Sequence, residues 1–370
     1  LSFLENLKPI SSAVSYVTLS FLTIYAVFLI GIELAKLNKI DGVFPGIIAV
    51  MSYLSVNPMV FEFLHEDATV IAENVLAKQY TDTKGLFLGM FVAILSIELY
   101  AWLCRQKRLQ IKMPESVPAN VSASFSALFP TILTVTIIAT VGFAIKAITG
   151  MYAYDIIYNI VQKPLEGIVQ GLPGILLLMF IAQVFWVIGI HGNQMVKPIR
   201  EPLLLAAIAV NTEAFEAGKE VPNIITMPFW DMYMSMGGSG VTIGLLIAIL
   251  IAGKREDMRQ ITKLSLAPGI FNINEPVIFG MPIMLNPILA IPFILTPIIT
   301  GTVGYIATSI GFAAKAVVMV PWPMPPIVNA YLATAGDIGA VVTQIICILL
   351  SIIIYLPFVI VMNRSTNEVA

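Results

Sequence analysis

Apolar residues in this chain come in long runs rather than alternating with polar ones. Stretches of about 20 mostly apolar residues, the length that crosses a bilayer as a helix, recur at residues 11–31, 85–104, 125–148, 172–190, 237–252, 288–312 and 339–362. Residues 43–64 read the same way, with Pro45 and Pro58 expected to bend or end the helix. Glu62, His65, Glu66, Asp67 and Glu73 then read as a polar connection. Residues 153–171 are interrupted by Asp155, Lys163, Pro164 and Glu166, which predicts a helix at the interface or buried in an assembly. Residues 198–210 are too short to span. With the irregular segment 223–236 they predict a re-entrant hairpin, which is tolerated at membrane depth only against protein or water. The run Pro321-Trp322-Pro323-Met324-Pro325-Pro326 cannot be helical through its length.

Two polar breaks stand out against this background. One is Gly189-Ile190-His191-Gly192-Asn193-Gln194 and the other is Asn272-Ile273-Asn274-Glu275-Pro276, with Pro268, Pro282, Pro287, Gly269 and Gly280 around it. Each proline removes a backbone donor, and the freed groups must be buried in protein or face a wet cavity. A carboxylate at membrane depth marks a functional site by default. Glu275 is therefore the expected centre of a site, with His191 as its partner.

Composition supports this pattern. Of 370 residues, 58% are hydrophobic and 11% charged, against roughly 25% charged in a soluble domain. Mean hydropathy is +0.91. The fold class expected is all-α and polytopic. The net charge of −2 gives no electrostatic footprint for nucleic acid. Position 1 is Leu and no basic n-region with a cleavage site follows, so further spans are expected upstream. Cys104 and Cys347 have no metal or redox spacing. With His65 and His191 the only histidines, neither a metal site nor a cofactor is expected. Arg105, Lys107, Arg108 and Lys112 form one basic cluster, and Lys254, Arg255, Arg259 and Lys263 another; with Arg364 they place these ends in the cytoplasm. The texture changes near Gly171 from plain spans to broken helices, dividing the chain into membrane subdomains 1–170 and 171–370.

The run Ala267-Pro268-Gly269-Ile270-Phe271-Asn272-Ile273-Asn274-Glu275-Pro276-Val277-Ile278-Phe279-Gly280, followed by Met281-Pro282 and Asn286-Pro287, resembles the membrane subunit, enzyme IIC, of the bacterial sugar phosphotransferase system. The resemblance is specifically to the lactose/cellobiose/diacetylchitobiose branch. Gly189-Ile190-His191-Gly192 is similar to that family's histidine loop. The resemblance implies about ten transmembrane helices with two re-entrant hairpins, in a homodimer within the bacterial cell membrane. Segment 1–170 would make the dimer contact, and 171–370 would hold the sugar and the hairpins. A β-linked disaccharide is implied, diacetylchitobiose first and cellobiose second. So is a soluble cytoplasmic IIB partner carrying a phosphocysteine. Neither Cys104 nor Cys347 matches such a site, so the phosphoryl donor is expected outside this chain.

The resemblance makes Glu275 the candidate base for the sugar's 6-hydroxyl, in a reaction that asks the protein chiefly for positioning and charge placement. His191 can donate or accept a hydrogen bond, so it can orient that hydroxyl or bind another. Asn272, Asn274, Asn193 and Gln194 offer two-way hydrogen bonds suited to hydroxyls. Trp186 and Trp322 offer flat faces for a pyranose ring. Glu98, inside the third span, is a further candidate. The bland readings are a structurally paired Glu275, a His191 that only ends a helix, asparagines that only cap half-helices, and Trp186 as an interfacial anchor. The competing function is a secondary transporter coupled to protons or sodium, which also uses broken helices.

Overall fold

The computed structural model describes residues 9–364 except positions 11, 12, 15, 19, 66, 67, 110, 112–118 and 282. Leu1, Glu66, Asp67, Lys112 and Pro282, which entered the reading above, lie outside these residues. The chain forms two compact units, Leu1–Pro164 and Leu165–Ala370. Both are built from helices, with one small hairpin in the first. Among the described residues, six helices are long and apolar enough to cross a membrane: Tyr16–Leu37, Thr83–Cys104, Phe125–Thr149, Met227–Ala252, Pro287–Ser309 and Ile338–Asn363.

In the first unit, α1 (Leu22–Leu37), α2 (Phe44–Ser55) and α3 (Leu86–Cys104) pack on one another. Their core includes Val27, Ala49, Tyr53 and Ile97. The span expected at residues 43–64 is instead the 12-residue α2 followed by a hairpin, β1 (Val60–His65) with β2 (Ala68–Glu73), antiparallel with Val60 opposite Glu73. Pro45 sits in the first turn of α2, where its missing N–H is not needed, so it starts the helix rather than bending it. Pro58 disfavours helical geometry at Asn57 and the chain turns extended. The apolar run Val60-Phe61-Glu62-Phe63-Leu64 is then a strand; short apolar runs do not by themselves distinguish the two states. Next come α4 (Ala119–Thr149), α5 (Ala153–Ile157) and a π-turn at Tyr158–Gln162, and α6 (Lys163–Val169) then continues past Pro164 into the second unit. Glu98 on α3 accepts from Asn38 Nδ2 at 2.9 Å, and Arg105 donates to Asn38 Oδ1 at 2.8 Å.

The second unit contains α7 (Leu172–Val187), α8 (Gly192–Glu216), α9 (Met227–Met234), α10 (Thr242–Ala252), α11 (Glu256–Ile270), α12 (Glu275–Gly280), α13 (Pro287–Ser309), α14 (Val328–Ala333) and α15 (Ile338–Arg364). Its core joins Leu245, Ile249, Phe293, Tyr355 and Trp186. The short arm expected at 198–210 is part of the 25-residue α8, which continues through Pro198 and Pro202. Interior prolines kink a helix without always ending it, and the apolar face of α8 buries Val196, Leu203, Ala207 and Ile208. Between α9 and α10 the chain turns at Gly237, Gly238 and Gly240, all with positive φ, and Val241 follows at φ 54°. Tyr355 O–H ties the turn to α15 by donating to Gly240 O at 2.7 Å.

Candidate functional site

A cavity of about 240 Å³ opens in the second unit, walled by the end of α7, the first turns of α8, helix α9 with the glycine turn, the α11–α12 link and Trp322. Its position follows from local backbone chemistry. Gly192 opens α8 where that helix crosses α7 so closely that a Cβ would stand 1.7 Å from Ala182 O. The preceding residue, His191, is the N-cap: its Nδ1 accepts from Gln194 N–H at 3.4 Å. In the neutral ring that leaves the proton on Nε2, a donor. The His191 ring lies 4.1 Å from that of Trp186, tilted by 46°. Trp186 is 3% exposed, which removes it from the role of an interfacial anchor.

Eight of the nine candidates line this one cavity: Glu275, His191, Asn274, Asn193, Gln194, Asn272, Trp186 and Trp322. Glu98 does not line it and is engaged by Asn38 in the first unit. The two asparagines of the α11–α12 link are committed to backbone. Asn272, at φ 63°, donates from Nδ2 to Trp322 O at 2.7 Å and Met324 O at 3.0 Å, and its Oδ1 accepts from Gly237 N–H at 2.9 Å. It therefore staples three non-helical segments together. Asn274 donates to Ser239 O at 2.7 Å and to Thr242 Oγ1 at 3.3 Å, leaving Oδ1 as the group it can offer a ligand. Gly238, at φ 95°, is forced by this contact: a Cβ there would stand 2.4 Å from Asn274 Cγ. Asn193 donates to Ser239 Oγ at 2.8 Å, and its Oδ1 is buried without a partner among the described residues.

Three carboxylates line the cavity, and they differ. Glu201 pairs with Lys197 at 3.5 Å, one turn apart on α8. Asp231 lies in the field of Arg200. Glu275, the first residue of α12, is exposed and has no ion pair or hydrogen bond among the described residues. Its environment is that of a group kept available. Around it, Trp186 Nε1, Asn193 Oδ1, Arg200 Nε, Asp231 Oδ2 and Ser235 Oγ are buried and unpartnered among the described residues. On the cavity wall itself His191, Gln194, Glu275 and Trp322 are exposed, an imidazole, an amide, a carboxylate and an indole, which suits a ligand rich in donors and acceptors.

The sequence reading missed Lys197, Arg200, Glu201, Trp230, Asp231 and Ser235. Arg200 and Asp231 carried a usable signal, an ionisable residue inside an apolar stretch. They lie 31 residues apart on different helices, and no local spacing joins them to Glu275.

A polytopic helical unit with a polar cavity at broken helices defines a membrane transporter. Residues 1–297 match the family model for the phosphotransferase system EIIC. The chain belongs to that family, the sugar-transporting membrane component of the phosphotransferase system, in the plasma membrane. Among its relatives, the PTS system oligo-beta-mannoside-specific EIIC component of Bacillus subtilis (strain 168) is 36% identical over 365 residues, 98% of this chain and 81% of that protein. The PTS system cellobiose-specific EIIC component of Geobacillus stearothermophilus is 33% identical, covering 92% of this chain and 76% of that protein. The crystal structure of the transporter ChbC, the IIC component from the N,N'-diacetylchitobiose-specific phosphotransferase system, aligns with a TM-score of 0.90 at 34% identity. The alignment covers 96% of this chain and 83% of that one. As a family member the protein works with a sugar and a IIB component. Family membership, rather than the cavity alone, separates it from ion-coupled transporters.

Proposed function

We propose that the second unit binds a β-linked disaccharide of the cellobiose or diacetylchitobiose type and presents its 6-hydroxyl to phosphocysteine-IIB at the cytoplasmic face. Glu275 accepts the hydroxyl proton as the phosphoryl group arrives, and His191 donates from Nε2 to hold the attacking oxygen or its neighbour. Trp186 and Trp322 pack against the rings. The Glu275 carboxylate carries this reading: it is exposed on the cavity and has no ion pair or hydrogen bond among the described residues, whereas Glu201 pairs with Lys197 and Asp231 lies in the field of Arg200. A base must be within reach of its proton and available in its ionised form. The relatives specific for oligo-β-mannoside, cellobiose and diacetylchitobiose support the β linkage. The first unit forms the contact of a homodimer in this reading, and the basic segment that opens α11 faces the cytoplasm.

The test is a panel of diacetylchitobiose, cellobiose and maltose, offered to membranes with phosphorylated IIB and read as sugar phosphate formed. The β-linked sugars are expected to be phosphorylated and maltose left untouched. Uptake is expected to require phosphoenolpyruvate and to ignore ionophores. A preference for maltose, or uptake abolished by an ionophore while phosphoenolpyruvate is present, would overturn the reading.

A further inference from the structure

Among the described residues, the carboxylates Glu201, Asp231 and Glu275 line the cavity against two cations, Lys197 and Arg200. Such a wall accepts a neutral sugar but resists a phosphoryl group, which is an anion throughout its transfer. A phosphocysteine close enough to react beside Glu275 meets a like charge, and the repulsion stands unless a cation faces the same space. Phosphoryl transfer asks the protein chiefly for charge placement of this kind, because charge spreads over three equatorial oxygens in the transition state.

The two cations are not equally able to supply it. Arg200 is 6% exposed, its guanidinium lies 4.6 Å from the centroid of the Trp230 ring, and Asp231 stands in its field. Its charge is turned into the wall. Lys197 is different: 46% of its side chain is exposed, and it shares the cavity face of α8 with Gln194 and Glu201, three residues before it and four after. The lysine stem is flexible. Helical side chains lean toward the helix N-terminus, which for Lys197 is the end that holds His191.

Glu201 holds this ammonium loosely. The nitrogen is 3.5 Å from Oε2, against 2.6 Å in the exposed pairs Lys36–Glu33 and Arg255–Asp257. A charge-assisted hydrogen bond is about 2.7–2.9 Å long. Lysine also precedes glutamate by four residues, the weaker order on a helix. A half-exposed pair of this kind contributes little to stability, so Lys197 can leave Glu201 at small cost.

We propose that Lys197 is the cation that meets the phosphoryl group during its transfer. It leaves Glu201, contacts the phosphoryl oxygens as they pass from IIB to the sugar, and returns to Glu201 when the sugar phosphate departs. In that step the bond from the sugar oxygen to phosphorus forms and the sulfur–phosphorus bond of IIB breaks. The hydroxyl proton goes to Glu275, and the electron pair of the broken bond stays on the cysteine sulfur as thiolate. Glu275 becomes neutral, and the phosphate on the sugar is the new anion in the cavity. The inference rests on the sugar-phosphorylation reading above and adds a charge-placing residue to it.

The experiment compares wild type, Lys197→Gln, Lys197→Arg and Glu201→Gln. Phosphorylation is measured at saturating cellobiose and saturating phosphorylated IIB. Calorimetry on the full chain in detergent then gives affinities for cellobiose and for cellobiose phosphorylated on its 6-hydroxyl. Lys197→Gln is expected to lower the rate by about 10²-fold, the usual loss of one group that stabilises transition-state charge. Its affinity for cellobiose is expected to change by less than about twofold, because the contact is made only once the phosphoryl group is present. Its affinity for the phosphorylated sugar is expected to fall by about tenfold or more. Lys197→Arg keeps the charge and is expected to recover most of the rate. Glu201→Gln releases the ammonium and is expected to bind the phosphorylated sugar more tightly than wild type does. Opposite signs for the two halves of one ion pair are not expected of a structural pair. The same loss in Lys197→Gln and Glu201→Gln, equal losses for the two sugars, or a wild-type rate in Lys197→Gln would overturn the proposal. Lys197→Met keeps the stem and carries the test if the Gln variant does not fold; failure of both to fold would make Lys197 structural and overturn it as well. Wild-type protein that phosphorylates no β-linked disaccharide would overturn the sugar-phosphorylation reading itself, whereas a normal rate in Glu275→Gln would remove the base and leave the Lys197 comparison readable.

Discussion

Asn272 donates to the carbonyl oxygen of Trp322 across 2.7 Å, joining the link before Glu275 to the proline-rich segment fifty residues later. The same side chain holds Met324 O and Gly237 N–H. One amide thus fixes the positions of Trp322 and the glycine turn relative to the first residue of α12. Asn272→Ala would leave up to three backbone groups without this partner, at about 1–3 kcal/mol for each that stays buried and unpaired. The variant is expected to unfold at lower temperature in detergent and to bind sugar more weakly. Thermal unfolding followed by intrinsic fluorescence, run beside calorimetry, checks both. Wild-type values in both would show that the staple is dispensable.

His191 has two separable jobs, capping α8 through Nδ1 and offering Nε2–H to the cavity. His191→Ala removes both and is expected to weaken sugar binding by roughly 1–3 kcal/mol. His191→Asn restores a good N-cap but places no donor where Nε2 stands. Stability is expected to recover in the Asn variant and sugar affinity to stay low. Recovery of affinity with Asn would make the cap the whole of the histidine's role.

Gly192 has no room for a side chain against Ala182 O. Gly192→Ala must push α7 and α8 apart, which costs typically 1–3 kcal/mol for an overpacked contact. It also displaces His191, the preceding residue. Lower thermal stability together with weaker sugar binding is expected. An unaltered unfolding temperature would contradict the close crossing.

Arg259 and Lys263 are one turn apart on α11 and exposed, and Lys254 is exposed just before it. Arg255 is different: it bonds Asp257 at 3.1 and 2.6 Å, which holds the Asp257 carboxyl below its usual range and offsets the arginine's charge. The charge free to steer a IIB partner is thus on Lys254, Arg259 and Lys263. Reversing Arg259 and Lys263 to Glu is expected to slow IIB-dependent phosphorylation at low salt, with convergence on wild type as screening grows. Sugar binding is expected to be unchanged. Equal rates at every salt concentration would leave these charges with a topological role only.

The two polar breaks were legible because proline, asparagine and a carboxylate are expensive in an apolar chain, whatever they contact. Six residues of those breaks, His191, Asn193, Gln194, Asn272, Asn274 and Glu275, line one cavity, together with Trp186 and Trp322, which were chosen for their flat rings. What each does was not legible. Asn272 and Asn274 are residue types suited to sugar hydroxyls, yet their amide donors hold backbone, because the glycine turn beside them needs tying down. Glu98 sits in an apolar run as Glu275 does, but its partner Asn38 is sixty residues away. Arg200 was overlooked because residues 198–210 read as a short arm where a 25-residue helix runs, and Asp231 because residues 223–236 read as an irregular segment where α9 lies. The hairpin from Val60 to Glu73 was hidden for a related reason: a short apolar run fits strand and helix equally.

The central claim is that Glu275 is the base for phosphoryl transfer to a bound sugar. Glu275→Gln preserves size and most hydrogen bonding while removing the proton acceptor. The decisive measurement is the rate of sugar phosphorylation by phosphorylated IIB at saturating cellobiose or diacetylchitobiose, with affinity for the same sugar measured on the same preparation. The account predicts a rate lower by about 10²–10⁴-fold, the usual loss for a general base, with affinity changed far less. Phosphorylation at the wild-type rate by the Gln variant would contradict it.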